Sequence, residues 1–338
     1  MPTSGDFRST APIENLRLRA QLLSRIRRFF DAQGYLEVET PLLSHDSVVD
    51  RHLDPIEVFY GPDHGTTTTG RRLFLQTSPE LGMKRLLASG GFDAIYQTTR
   101  AFRREEQGAR HNPEFTMIEW YRLGDGMAEQ MELLDDLCRM LFGTPPAERL
   151  TYEEAFKRYA GLDPHQADLN EVRSKTYTAT SIGEHVPPAA KEPGGALFAD
   201  RDFWLNLLLS ELVEPNLGQA KPTILYDFPA SQAALAKTRP GPPEVAERFE
   251  LYLGGFELAN GYHELLDADV LEQRNRTQNR LRDQDGKPTL PNDSRLIAAM
   301  KAGLPACSGV ALGFDRLVMY AVGASDISEV IAFPFDRA

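Results

Sequence analysis

The sequence predicts an α+β fold, an antiparallel sheet flanked by helices. Strand-like segments arrive in runs that pair with their neighbours, and the helical segments stand apart from those runs. A doubly wound parallel sheet would instead alternate single strands with single helices. No internal repeat or low-complexity tract divides the chain.

Residues 1–12 are polar and read as a loose lead-in. From Ile13 to about Gln33, Leu16, Ala20, Leu23, Ile26 and Phe30 recur at helical spacing, and Gly34 supplies the stop. Leu36 to Thr40 reads as a short strand that Pro41 closes. Strands near Ile56–Phe59 and Leu73–Gln76 flank a Gly/Thr loop at 61–71. Ser78-Pro79-Glu80 opens a helix reaching about Ala88, with proline in the first turn and an acid where the helix dipole favours one. Two strands with a turn between them follow around Phe102–Glu105 and Phe115–Tyr121. Residues 127–142 make an amphipathic helix with Leu133, Leu137 and Leu141 on one side. The stretch 163–201 carries Pro187-Pro188, Pro193 and Gly194-Gly195 and reads as an irregular insertion or mobile loop. Asp202 to Leu212 is helical, and Thr223–Tyr226 and Phe249–Leu258 are strands. Charged helices occupy Leu265–Gln284 and Asp293–Ala302. Val310–Leu312 then leads through Gly313 into a last helix from Asp315.

At 338 residues the chain exceeds the usual domain size, but a large α+β enzyme reaches this length with one core. Its hydrophobic content of 41% and charged content of 25% are those of an ordinary globular protein. The net charge of −12 argues against a nucleic-acid coat protein. A local basic site is still expected, because Lys84, Arg85, Arg100, Arg103, Arg104 and Arg110 lie close in sequence. Cys138 and Cys307 cannot build a disulfide framework and read as core thiols. The seven histidines lack metal-ligand spacing. The start of the chain shows no basic segment followed by an apolar one, and no apolar run approaches 18 residues, so a cytoplasmic location is expected.

Three segments carry chemistry. In the first, Phe102-Arg103-Arg104-Glu105 and His111-Asn112-Pro113-Glu114-Phe115 bracket a loop. Phe115, Met117, Glu119 and Tyr121 share one strand face, since side chains alternate with period two. Arg103 suits bidentate contact with phosphate, Glu105 can accept from an exocyclic amine, and Phe115 can stack on a purine. An amphipathic hairpin with solvated charges would show the same alternation. In the second, Glu257-Leu258-Ala259-Asn260-Gly261-Tyr262-His263-Glu264 holds the strongest short hairpin signal. A turn at 260–261 would pair Glu257 with Glu264, with Cβ atoms about 5 Å apart. Facing acids suggest Mg²⁺ held with nucleotide phosphates, or a substrate ammonium; splayed, solvated glutamates are the plainer alternative. In the third, Gly309 to Leu317 joins a small-residue strand to a helix. Asp315 is expected to cap that helix and Arg316 to reach phosphate.

Together with the N-terminal helix–strand–proline, these segments resemble the class II aminoacyl-tRNA synthetases. Leu36 to Pro41 looks like motif 1, the dimer-forming element; Phe102 to Tyr121 like motif 2; Gly309 to Leu317 like motif 3. The lysine branch is the most similar, through Thr77-Ser78-Pro79-Glu80, His111 to Phe115 and Glu257 to Gly261. Motif 1 begins too early for an N-terminal anticodon-binding domain to precede it, so the likeness runs from about residue 13 to 338 as one catalytic domain. Thr116 to Tyr121, Phe228-Pro229-Ala230-Ser231-Gln232 and Val330 to Phe333 resemble the compact members that attach (R)-β-lysine to translation elongation factor P. Ala311, where tRNA-charging relatives carry glycine, fits the same branch. Arg104 replaces a more usual asparagine, and 171–200 is longer than expected.

The resemblance implies ATP as substrate, Mg²⁺ as cofactor, a homodimer, and no stable binding of tRNA or membrane. It assigns catalysis to Arg103 and Arg316. ATP falls to Arg103, Arg104, Glu105, His111, Asn112, Phe115, Glu257, Leu258, Gly313 and Arg316. The amino acid falls to Ser78, Pro79, Glu80, Tyr121, Glu264 and Ala311, and the metal to Glu257 and Glu264. A free-standing enzyme activating α-lysine for tRNA, a non-catalytic regulatory paralogue and an asparagine-making relative are the competing readings.

Overall fold

The computed structural model describes residues 7–61, 70–179 and 186–338. Most of the expected Gly/Thr loop and the first half of the loose lead-in lie outside the described residues. The chain forms two compact units, Met1–Gly126 with Glu264–Ala338, and Met127–His263.

In the first unit, strands run in the order Leu36–Glu37, Ala94–Phe102, Glu114–Leu123, Cys307–Gly313. The first pairing is parallel and the other two are antiparallel. The Leu36–Thr40 strand is therefore shorter than expected, at two residues. A separate small sheet pairs Arg71–Leu75 with Leu43–Ser44 and Glu57–Tyr60. The N-terminal helix spans Ile13–Ala32 and buries Leu22, Ile26 and Phe30. Phe30 stacks on Tyr96 at 4.7 Å between ring centroids and meets Trp120 at 5.0 Å. Tyr96 and Trp120 are cross-strand partners, so one aromatic ring locks the helix to two strands. Burying large rings in edge-to-face and stacked contact adds to plain area burial.

The second unit orders its strands Phe256–His263, Val245–Leu253, Thr223–Pro229, Glu148–Thr151, with Thr238–Arg239 beside Val245–Leu253. Its core gathers Tyr152, Phe156, Trp204, Leu208, Phe228 and Tyr252. The amphipathic helix is Met127–Phe142, as its leucines predict. Two expectations are corrected here. The stretch 163–201 is not wholly irregular: Leu169–Thr178 is a helix capped by Asp168 that sends Val172 and Thr176 inward, and two short helices follow at Pro188–Lys191 and Ala196–Ala199. Phe249–Leu258 is not one strand but two, because Gly254 and Gly255 take φ of 62° and 74° and turn the chain. Asn260-Gly261 lies inside the second strand, opposite Glu250 and Phe249. Gly261 is glycine for a different reason: a Cβ there would sit 2.2 Å from the Phe249 ring.

Phe30 is fully buried, so Phe30→Ala should cost about 3–5 kcal/mol by transfer and cavity terms together. Urea unfolding measures it, and a loss under about 1 kcal/mol would show that the aromatic cluster does not hold the helix.

Candidate active site

The strand Glu114–Leu123 lies between Ala94–Phe102 and Cys307–Gly313, so its alternation sorts chemistry from core. Ile118 and Trp120 are fully buried on one face. The other face carries Phe115, Met117, Glu119 and Tyr121 in a row. Ala311 pairs directly with Glu119, and Gly309 with Tyr121. A Cβ on residue 309 would lie 2.2 Å from the Tyr121 ring, so the missing side chain gives that ring its place. The Tyr121 hydroxyl donates to Glu119 Oε1 at 2.5 Å.

Three carboxylates converge here. Glu80 opens the helix Glu80–Ser89, whose N-cap is Pro79, with Ser78 half-buried just before it. Glu264 is 1% exposed and Glu119 equally so. Lys84, one helical turn after Glu80, is also 1% exposed and donates to Glu80 Oε1 at 2.5 Å. It pairs with Glu264 Oε2 as well and lies 5.8 Å from the Tyr121 ring centroid. Glu119 Oε2 is buried with no hydrogen-bond partner among the described residues. Burial pushes the Glu119 carboxyl up to about 8, and the nearby Glu80 adds to this. Burial raises Glu264 too, against the pull of Lys84. Burial alone would lower Lys84, but Glu264 and Glu80 overturn it and keep the ammonium charged. Burial, then Glu119, holds the Tyr121 phenol protonated. A buried oxygen without a partner, beside two further acids, is complementary to a cationic donor.

The expected nucleotide residues gather on the adjoining loop. The Arg103 guanidinium lies 5.0 Å from the Phe115 ring centroid, and its Nε is buried without a hydrogen-bond partner. Arg104 and Glu105 are exposed side by side, with Glu105 at φ +65°, a left-handed backbone unusual for glutamate. Arg316 Nη2 meets His111 Nε2 at 2.5 Å, which joins the loop to the helix Phe314–Val322. Asn112 is committed within the protein: its amide donates to Glu114 O at 2.6 Å and accepts from Phe335 N at 2.8 Å. Asp315 does not cap its helix, contrary to expectation. Its carboxylate instead accepts from Thr116 N at 2.6 Å and pairs with Arg19 at 2.5 Å. Lys84 leaves the expected basic cluster, being consumed by buried acids.

In the second unit, Glu257 opposes Tyr252 rather than Glu264, since Asn260-Gly261 makes no turn. The facing-acid pair that suggested a shared metal is therefore not formed, and Glu264 has Lys84 as its counter-ion. Leu258 is buried within the strand Phe256–His263. Glu250 accepts from Arg248 Nη2 at 2.5 Å and from the Tyr252 hydroxyl at 2.6 Å. Asn260 Oδ1 is buried with no hydrogen-bond partner among the described residues.

Sequence reasoning had not assigned Glu119, Lys84, Arg19 or Gly309 to the site. Glu119 stands two residues from Tyr121 on the same face, a signal that was there to use. Lys84 at i+4 from Glu80 reads as a solvated helix pair until burial is known.

The family model for class II tRNA synthetases of the D, K and N types matches residues 4–337. A curated relative, elongation factor P--(R)-beta-lysine ligase of Klebsiella pneumoniae (strain 342), is 47% identical over 339 residues, covering 100% of both chains.

An ammonium arriving at Glu119 and Glu264 favours their ionised forms. Lysine binding at pH 7 should therefore release on the order of one proton, since a carboxyl held near 8 is mostly protonated before binding. The release should fade above pH 9. Titration calorimetry in phosphate and in Tris reads it, and identical enthalpies in the two buffers would mean that the acids are already ionised.

Proposed function

The chain belongs to the class II tRNA synthetase family of the D, K and N types, and from that premise we propose that it activates (R)-β-lysine with ATP and transfers it to a lysine of translation elongation factor P. The observation that carries this reading is the buried acid set Glu80, Glu119 and Glu264 around Tyr121, in a chain 47% identical to a ligase of that name. A pocket with three carboxylates and one internal cation suits an amino acid with two ammonium groups.

In the first step, a carboxylate oxygen of the amino acid attacks the α-phosphorus in line. The bond to pyrophosphate breaks and an aminoacyl-adenylate forms. Arg103 and Arg316 meet the charge that develops on the phosphates. Phe115 and Arg103 offer the nucleotide a ring and a guanidinium, while Glu105 accepts from the base and Arg104, His111, Asn112 and Gly313 complete its surroundings. Asn112 serves chiefly by holding the loop, since both ends of its amide are engaged. Ser78 and Pro79 shape the start of the helix that brings Glu80 to the amino acid. In the second step, the ε-amine of the partner's lysine attacks the acyl carbon, AMP leaves and the amine loses a proton. No covalent enzyme intermediate is required.

The Glu257 carboxylate and Asn260 Oδ1 are hard oxygen donors that fit Mg²⁺. Both Glu250 oxygens are already engaged, and the described residues contain no group of three or more His, Cys, Asp or Glu side chains placed to hold a metal ion. This donor set suits an ion held largely by phosphates. When bound, Mg²⁺ neutralises phosphate charge. Under this reading the enzyme works in the cytoplasm; no helix among the described residues is long and apolar enough to cross a membrane. The apolar side chains Ile13 and Leu36, 61% and 55% exposed, support a two-fold homodimer through the motif 1 region.

Incubation of elongation factor P with ATP and each lysine isomer, followed by mass spectrometry, tests the whole reading. The (R)-β-lysyl adduct is expected, and charging of lysine tRNA in its place would favour a tRNA synthetase. Arg103→Ala should slow ATP–pyrophosphate exchange on the order of 10²–10³-fold with the fold intact by circular dichroism. Near-normal exchange would remove Arg103 from catalysis. Ala311 adjoins Glu119 on the next strand, and one methyl in a pocket discriminates about 10–200-fold. Ala311→Gly should improve kcat/KM for α-lysine relative to (R)-β-lysine within that range; a ratio unchanged within about twofold leaves Ala311 a packing residue.

A further inference from the structure

Each of the three pocket acids has one oxygen committed inside the protein. Glu80 Oε1 and Glu264 Oε2 are held by Lys84, and Glu119 Oε1 by the Tyr121 hydroxyl. The opposite oxygen of Glu119, Oε2, is buried with no hydrogen-bond partner among the described residues. Lys84 itself is buried, 1% exposed. Once an ammonium ligand has drawn the acids into their ionised forms, three carboxylates and one ammonium leave two net negative charges.

We propose that Lys84 is a specificity-determining positioning residue, a resident cation that holds Glu80 and Glu264 with one oxygen each turned to the substrate and sets the pocket's charge to complement two ammonium groups. This rests on the functional reading above.

The physics runs from burial to selectivity. Three carboxylates that ionise at so buried a place repel each other, and little solvent reaches them to screen the repulsion. A mobile cation from solvent would neutralise them but would also compete with substrate. A lysine rooted on the Glu80–Ser89 helix neutralises one charge permanently, at a fixed place and below the Tyr121 ring. The substrate then supplies the remaining two positive charges. A monoamine of the same length leaves one charge unmatched, so the count itself excludes ordinary aliphatic amino acids. The ε-ammonium is also a compact three-donor group, able to bridge two carboxylates without covering both oxygens of either.

Removing Lys84 frees both acids to rotate and to take up a proton between them. Lys84→Ala should raise KM for (R)-β-lysine about 10–100-fold, the worth of one charged hydrogen bond, while kcat and KM for ATP stay within about threefold. The vacated space matches a small alkylammonium, so millimolar propylammonium should restore KM, and sodium chloride at equal ionic strength should not. Lys84→Met, which keeps the stem and loses the charge, should show the KM defect without rescue and serves if the alanine variant folds poorly. A KM within about threefold of wild type in a folded variant, or an elevated KM that propylammonium leaves unchanged in Lys84→Ala, reduces Lys84 to packing. A wild type that exchanges pyrophosphate with no lysine isomer overturns the functional reading instead.

Discussion

The buried carboxylate of Asp315 is the tie on which the arrangement depends. One oxygen takes the Thr116 backbone N–H and the other pairs with Arg19. Arg19 also donates to the Thr116 hydroxyl at 2.7 Å, and Arg100 donates to the same hydroxyl at 2.8 Å. One acid thereby fastens the N-terminal helix, two central strands and the last long helix at a single point. A buried carboxylate is tolerable only when such partners surround it, and loss of any one leaves a charge stranded. Arg316 is the next residue along and starts from that fixed point toward His111.

From this tie, the strand Glu114–Leu123 divides labour by parity. Its even-numbered residues Ile118 and Trp120 are buried, and Trp120 meets Phe30 and sits across from Tyr96. Its odd-numbered residues Phe115, Glu119 and Tyr121 inherit the fixed positions. The acids need such a scaffold because their raised proton affinities come from burial, and burial persists only while the surrounding packing holds. Stability on one face is thus converted into proton affinity on the other.

What the sequence made legible was mostly local. The period-two row from Phe115 to Tyr121, the 127–142 leucine stripe and the Ser78-Pro79-Glu80 helix start all follow from neighbouring residues, and the structure has them. The failures share one cause, a partner far away in sequence. Asn260-Gly261 carries the chemistry of a turn, yet the Phe249 ring requires glycine there within a strand. Asp315 looks like a helix cap, but Thr116 and Arg19 claim it. Proline and glycine between 187 and 195 concealed helices whose inward residues answer to Trp204 and its neighbours. Lys84 had every mark of a surface residue, and only the packed fold shows that it is buried.

The Arg103–Asn112 loop is held from behind by the end of the chain. Phe335 N binds the Asn112 amide, Asp336 accepts from Gln107 at 2.7 Å, and Ile327 N donates to Ala109 O at 2.7 Å. For anyone handling the recombinant enzyme, this makes the C-terminal residues a poor place for an affinity handle or a trimming site. Fusions there would tug on the residues expected to cradle the nucleotide.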